Sequence, residues 1–357
     1  MIEQIPQFFG VKHSNRDFSQ KDSWGKNQFN SSFPASLSSY LYSKGLKANY
    51  ICLGEDNTVF QKELSISDLF GINPESEDIF FAFESPYMPY QNLLIGNLPR
   101  VDLVIQNKET GACLKGLEIK LTALPDNSTH ALGDENYSCE IVVRPDTIVY
   151  LACEIAKNYQ ENLDHLQTII GDEFDEILDW SDPGEIVPWI PKIAEKLKEI
   201  LRDNIDHQTP LLVQPVWKTE GKSPKLSDNC LDVFVWSNLA HAQFILDFAK
   251  SENHLNSRIT RQTRTFIWIF KMLYDFSKKG QINHEKVIDE LSYNTKNDKA
   301  FAASGRVTFP YLKSENLTNP RITKEEIKNI ILGGGQNLLS PERRFDAIIY
   351  NSTEIFE

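Results

Sequence analysis

Residues 98–125, LPRVDLVIQNKETGACLKGLEIKLTALP, constrain the fold more tightly than any other stretch of the chain. Residues 101–106 alternate and are rich in Val, Leu and Ile, 107–111 supply turn chemistry, and 114–121 form a second apolar run. That succession predicts a β-hairpin. Side chains two apart on a strand share a face, so Glu118 and Lys120 lie together while Leu117, Ile119 and Leu121 face the other way. With the turn centred near Thr110, Asp102 lies opposite Glu118. Directly opposed positions have Cβ atoms roughly 4.5–5.5 Å apart. Two carboxylates that close repel each other, and burial raises the cost. A hard divalent cation such as Mg²⁺ removes the conflict, since it takes oxygen ligands and is commonly held by one or two carboxylates plus phosphate and water. Lys120 adds a positive charge beside them. The same residues also fit a solvated strand face carrying a Glu–Lys pair, a common pattern in antiparallel sheets.

Asp102 followed by Glu118-Ile119-Lys120 resembles the PD-(D/E)XK motif of the restriction-endonuclease-like nucleases. The proline departs from the pattern, because Pro99 stands three residues before Asp102. The flanking text, LEIKLTALPD together with GVKHSNRDFSQKDSWGKNQFNSSFPASL near the N-terminus, resembles the HindVP/HgiDI group of type II restriction enzymes. The resemblance is carried by these two blocks and is weak in the C-terminal half. It implies an α/β fold with a restriction-endonuclease-like core, a central mixed β-sheet flanked by helices plus helical additions. It further implies a Mg²⁺-dependent enzyme that cuts double-stranded DNA at a six-base palindrome of the form GRCGYC and leaves 5′-phosphates. Asp102 and Glu118 are the expected metal ligands. Asp102, Glu118 and Lys120 are the expected catalytic set. A palindromic target calls for two sites related by a two-fold axis, hence a homodimer. A cognate DNA methyltransferase is the expected functional partner.

Length and composition agree with one large domain. The chain has 357 residues, 41% of them hydrophobic, enough for a sizeable core. The reading is a single domain over 1–357, with a catalytic core at about 78–160 and helical and C-terminal additions over 161–357. No apolar run approaches the roughly 18 residues of a membrane span, and MIEQIPQFFG lacks the basic start and apolar core of a signal peptide. The five cysteines are scattered, with no CxxC, so a reduced cytoplasmic setting without a zinc site is expected.

Net charge is −13, which runs against the cationic contacts that a phosphate backbone demands. Residues 154–206 hold 14 acidic and 5 basic side chains, net −9. One acidic face is compatible with a basic cleft elsewhere, because exposed charges more than about 8–10 Å apart are largely screened. Lys12, His13, Asn15, Arg16, Lys21 and Lys26, interleaved with Phe8, Phe9, Phe18, Trp24 and Phe29, read either as a DNA-contacting arm or as a surface loop packed by its aromatics. Arg258, Arg261 and Arg264 recur every three residues at the head of a helix running to Phe276, where six basic residues face one acidic between 258 and 279. That row is placed to bind phosphate or guanine, or to pair with the acidic region.

Taken in order, a helix is expected over 34–44 with Pro34 in its first turn. Strands are expected at 49–53 and 58–64, and a short helix at 66–70 capped by Ser65 or Ser67 and ended by Gly71. Further strands are expected at 78–84, 137–143, 210–216 and 230–236. Helices are expected at 145–159, near 160–179, at 190–205, at 237–250 and at 323–332. Glu84, ending its strand, and Glu140 are candidates for a further carboxylate at the metal site. His13 is a weak candidate base, and His241 reads as structural. Gly333-Gly334-Gly335 lacks the Lys-Ser or Lys-Thr of a phosphate loop. The competing function is a non-catalytic DNA-binding or regulatory protein on a nuclease-like fold, since fold alone does not secure function. A third, a repair or recombination nuclease, differs in needing no fixed short sequence.

Overall fold

The computed structural model describes residues 11, 13–16, 26–120, 141–219, 226–251, 259–293, 300–303 and 322–323. In chain order, α1 spans Lys26–Ser43, β1 Ala48–Leu53, β2 Val59–Leu64, α2 Ile66–Phe70, β3 Ile79–Pro86, β4 Arg100–Asn107 and β5 Cys113–Ile119. Next come β6 Ile141–Val143, α3 Pro145–Lys157, α4 Leu163–Ile170, α5 Pro183–Ile186 and α6 Ile190–Asp203. Then follow β7 Pro210–Thr219, β8 Leu226–Ser237, α7 Asn238–Ser251, α8 Arg261–Lys279, α9 His284–Glu290, β9 Phe301–Ala303 and β10 Ile322–Thr323.

The main sheet runs β2-β1-β8-β7-β5-β4-β3, with β10 added beside β8. Hairpin pairs are antiparallel, whereas β1–β8 and β5–β7 are parallel. A parallel pair needs a long crossover, and the β5–β7 connection contains α3 to α6. Alternation on the strands loads both faces. On one, Leu212, Phe234 and Trp236 pack with Tyr150 of α3, Phe244 of α7 and Phe270 of α8. On the other, Phe81, Leu103, Leu117, Ile119 and Val235 pack with Leu37 and Leu41 of α1 and Phe70 of α2. The result is the α/β architecture that the resemblance implies, a mixed sheet between layers of helix. The sheet recruits strands on both sides of 78–160. No helix among the described residues is long and apolar enough to cross a membrane.

Local signals place most element ends. Ser65 caps α2 by accepting from Asp68 N–H, and Gly71 closes it at φ 74°. Three expectations are corrected. The helix expected from Pro34 starts at Lys26, with Pro34 inside it. The proline removes one helical hydrogen bond, but α1 packs on the sheet through small buried serines. Ser36 and Ser38 donate to the carbonyls of Ser32 and Pro34 at 3.1 and 3.0 Å. The helix expected near 160–179 stops at Ile170, where Gly171 turns at φ 84°, and a 3₁₀ turn over Asp172–Glu176 follows. The arginine row is not a shared outer face. Arg264 is buried, its guanidinium 4.4 Å from the Trp268 ring, and Nη2 donates to the Ala300 carbonyl at 3.4 Å. The rival role falls to the other end of α8, where Lys278 pairs with Asp172 at 3.3 Å and Asp175 at 3.0 Å. Lys12, Lys21, Phe8, Phe9, Phe18, Trp24, Glu140, Arg258, the glycine triplet and the helix expected at 323–332, apart from Thr323, which is in β10, lie outside the described residues.

Candidate active site

Leu103 pairs with Leu117 in the β4–β5 ladder, so the next step of the register sets Asp102 against Glu118. The side chain of Asp102 bonds across the pair, Oδ2 accepting from the Ile119 N–H at 2.8 Å. Lys120 directly follows β5, held in line by its own N–H donating to the Val213 carbonyl of β7 at 2.9 Å. Its ammonium donates to Glu118 Oε1. The same oxygen accepts from the buried Thr147 hydroxyl at 3.1 Å. Thr147 lies in the first turn of α3, which Pro145 opens. Glu118 is thus fixed from both sides, while its neighbours Leu117 and Ile119 are buried on the opposite face.

Electrostatics at this spot are strained in the direction a cation would relieve. Burial, then repulsion from Glu118, pushes Asp102 up to about 7, despite Lys120 and the Ile119 N–H. For Lys120 burial works against the charged form, yet Glu118 and Asp102 outweigh it and hold the ammonium above the usual lysine range. Asp146, also in the first turn of α3, is raised by burial and then by Glu118. The donor set is all oxygen and anionic, which fits a hard divalent ion and not zinc. No three potential ligands converge among the described residues; the opposed Asp102 and Glu118 are oxygen donors that could hold such an ion between them. Cys52, Cys113 and Cys153 are unbridged and lie outside the cluster.

Other sequence candidates separate clearly. Glu84 falls between the pairs Phe83↔Leu103 and Ser85↔Val101, opposite Asp102 on the far side of β4 from Glu118. It is joined there by Arg16, whose Nη2 donates to Glu84 Oε1 at 3.2 Å. His13 is remote from this cluster, its Nε2 2.8 Å from Glu77 Oε2 beyond the opposite end of β3. His241 is fully buried beside Trp236 and Phe244. Burial, then the Lys120 charge, lowers it to about 3, so the ring is neutral, as a structural role requires. Thr147 and the Arg16–Glu84 contact were beyond sequence reasoning. Neither has a local pattern, and each is made across at least 29 residues of chain.

The HindVP restriction endonuclease family profile matches residues 24–356. The chain belongs to the HindVP restriction endonuclease family. It is 50% identical over 351 residues to the probable type II restriction enzyme HindVP of Haemophilus influenzae, covering 98% of this chain and 95% of that one. It is 46% identical over 359 residues to the type II restriction enzyme HgiDI of Herpetosiphon aurantiacus, covering 100% and 99%. No solved structure matches it. Membership extends the likeness far beyond the two blocks that suggested it, through the C-terminal half.

Proposed function

We propose that this restriction endonuclease hydrolyses double-stranded DNA at a short palindrome, GRCGYC by resemblance, with Mg²⁺ held by Asp102 and Glu118. The observation that carries the reading is the pair of opposed carboxylates with Lys120 bonded to one of them, on the face of the β4–β5 pair that α3 covers. Mg²⁺ supplies neutralisation of charge on the scissile phosphate and lowers the pKa of water. Lys120 steadies the attacking water and a phosphate oxygen. Thr147 keeps the Glu118 carboxylate in one orientation. Attack of water at phosphorus forms a new P–O bond as the P–O3′ bond breaks, the proton that the water loses is replaced at the leaving O3′ by one from solvent, and 5′-phosphate and 3′-hydroxyl ends result. A two-fold target is met by a homodimer, working in the cytoplasm alongside a methyltransferase that protects host sites.

The test is a plasmid of known sequence incubated with Mg²⁺ or EDTA, with the ends mapped, for the parent and Lys120→Ala. Discrete double-strand breaks with Mg²⁺, none with EDTA, and loss of cutting in a folded Lys120→Ala are expected. Near-parental cutting by folded Lys120→Ala would leave Glu118 and Lys120 as a largely buried structural ion pair.

A further inference from the structure

A buried cation lies beside the Asp102 strand pair, delivered by a segment that follows the outer edge of β3. Phe81 N–H donates to the His13 carbonyl at 2.9 Å. Asn15 then bonds both sides of Phe83, Oδ1 accepting from its N–H and Nδ2 donating to its carbonyl, each at 2.9 Å. This pairing brings Arg16 to the end of β3. Its side chain is only 7% exposed. Nη2 is shared between Ser31 Oγ of α1 at 2.9 Å and Glu84 Oε1 at 3.2 Å, and the guanidinium carbon lies 4.9 Å from the Phe83 ring centre. Nη1 is buried with no hydrogen-bond partner among the described residues.

Glu84 is the opposite case. Its side chain is 44% exposed, and its backbone sits at φ 51°. A side chain longer than glycine takes this left-handed conformation at a cost, and such costs cluster at functional sites. Exposure separates the roles: Arg16 is closed off from solvent, whereas Glu84 is open to it.

We propose that Arg16 is a positioning residue of the cleavage site, holding Glu84 beside Asp102 so that Glu84 accepts hydrogen bonds from the water shell of the divalent ion. Arg16 binds one carboxylate oxygen and leaves the second for water. Small divalent ions keep several waters, so a carboxylate that is not a direct ligand still acts on them. The inference rests on Asp102 and Glu118 being the direct ligands.

Mn²⁺ binding by the full-length, DNA-free protein, followed by electron paramagnetic resonance of free Mn²⁺, tests it, with thermal unfolding as the folding control. Arg16→Met and Glu84→Gln should each weaken binding, at roughly the 10–100-fold scale of outer-shell changes. Arg16→Lys should lose less than Arg16→Met, and Arg16→Met should add nothing on the Glu84→Gln background. Mn²⁺ affinity in Arg16→Met equal to or tighter than the parent's overturns the proposal, as does a full further loss on the Glu84→Gln background. If Arg16→Met fails to fold, the exposed Glu84→Gln decides, and unchanged affinity there overturns it. Asp102→Asn separates the two levels. Loss of binding in Asp102→Asn but not in Glu84→Gln removes this inference alone, whereas unchanged binding in Asp102→Asn removes the metal assignment beneath it.

Discussion

Asp102 carries a large electrostatic cost in this fold. Burial and the facing Glu118 lift it from 3.8 to about 7. Between those values the folded, metal-free protein keeps a proton that the unfolded chain has lost. Stability of the metal-free form therefore falls as pH rises from about 4 to about 7. Glu154, buried in α3 and pushed up to about 7 by its burial, acts in the same window, so the Asp102 share is the difference between the parent and Asp102→Asn. A cation needs the carboxylate, so loading it at pH below 7 releases a proton. Mg²⁺ affinity should climb with pH to about 7 and then level off. Calorimetry in buffers of different ionisation enthalpy counts that proton, and finding none released at about pH 6 would sink the role given to Asp102.

At the scale of elements, the hairpin and α3 form one working unit. The head of α3 fixes Glu118 through Thr147, and about one turn further on Tyr150 approaches β5 so closely that only glycine fits. A Cβ on Gly116 would lie 1.6 Å from the Tyr150 hydroxyl and 3.1 Å from Tyr87. Tyr150 cannot easily withdraw, since its ring is packed against Tyr87 and Tyr90 with centroids 6.1 and 5.1 Å away. Gly116→Ala should cost about 1–3 kcal/mol, the scale of core overpacking, and weaken cleavage by tilting α3 away from Glu118. The Tyr150 hydroxyl is buried without a hydrogen-bond partner among the described residues, so Tyr150→Phe should be tolerated alone and recover part of the loss in the double variant. Chemical denaturation of the three variants measures this. Parental stability in Gly116→Ala would show that α3 is free to shift.

For the whole molecule, charge is partitioned and not merely negative. The net −9 of residues 154–206 accounts for most of the chain's −13, and part of it is spent internally, as in Lys278 with Asp172 and Asp175 and Lys192 with Glu173 at 3.1 Å. DNA binding in Ca²⁺ should therefore still weaken with salt, with a log–log slope of about −0.9 per phosphate neutralised. Gel shifts between about 50 and 200 mM salt provide the measurement. A flat response would exclude a cationic DNA cleft.

What could be read from sequence alone was whatever depends on near neighbours in the chain. The hairpin register that opposes Asp102 and Glu118, the shared face of Glu118 and Lys120, and the cap and stop of α2 follow from alternation, turn residues and capping chemistry. The family text supplied the function. Tertiary structure decided the rest, because it turns on contacts between distant segments. Sequence cannot order β1 beside β8 or β5 beside β7, since parallel partners are set by how crossovers pack. Nor can it foresee that Arg264 of a basic row is buried over Trp268 while Arg16 of a polar arm reaches Glu84. Both are arginines in basic text. Which one borders the candidate site depends on the segment packed against it, and that is fixed only when the sheet edge and the helices have closed.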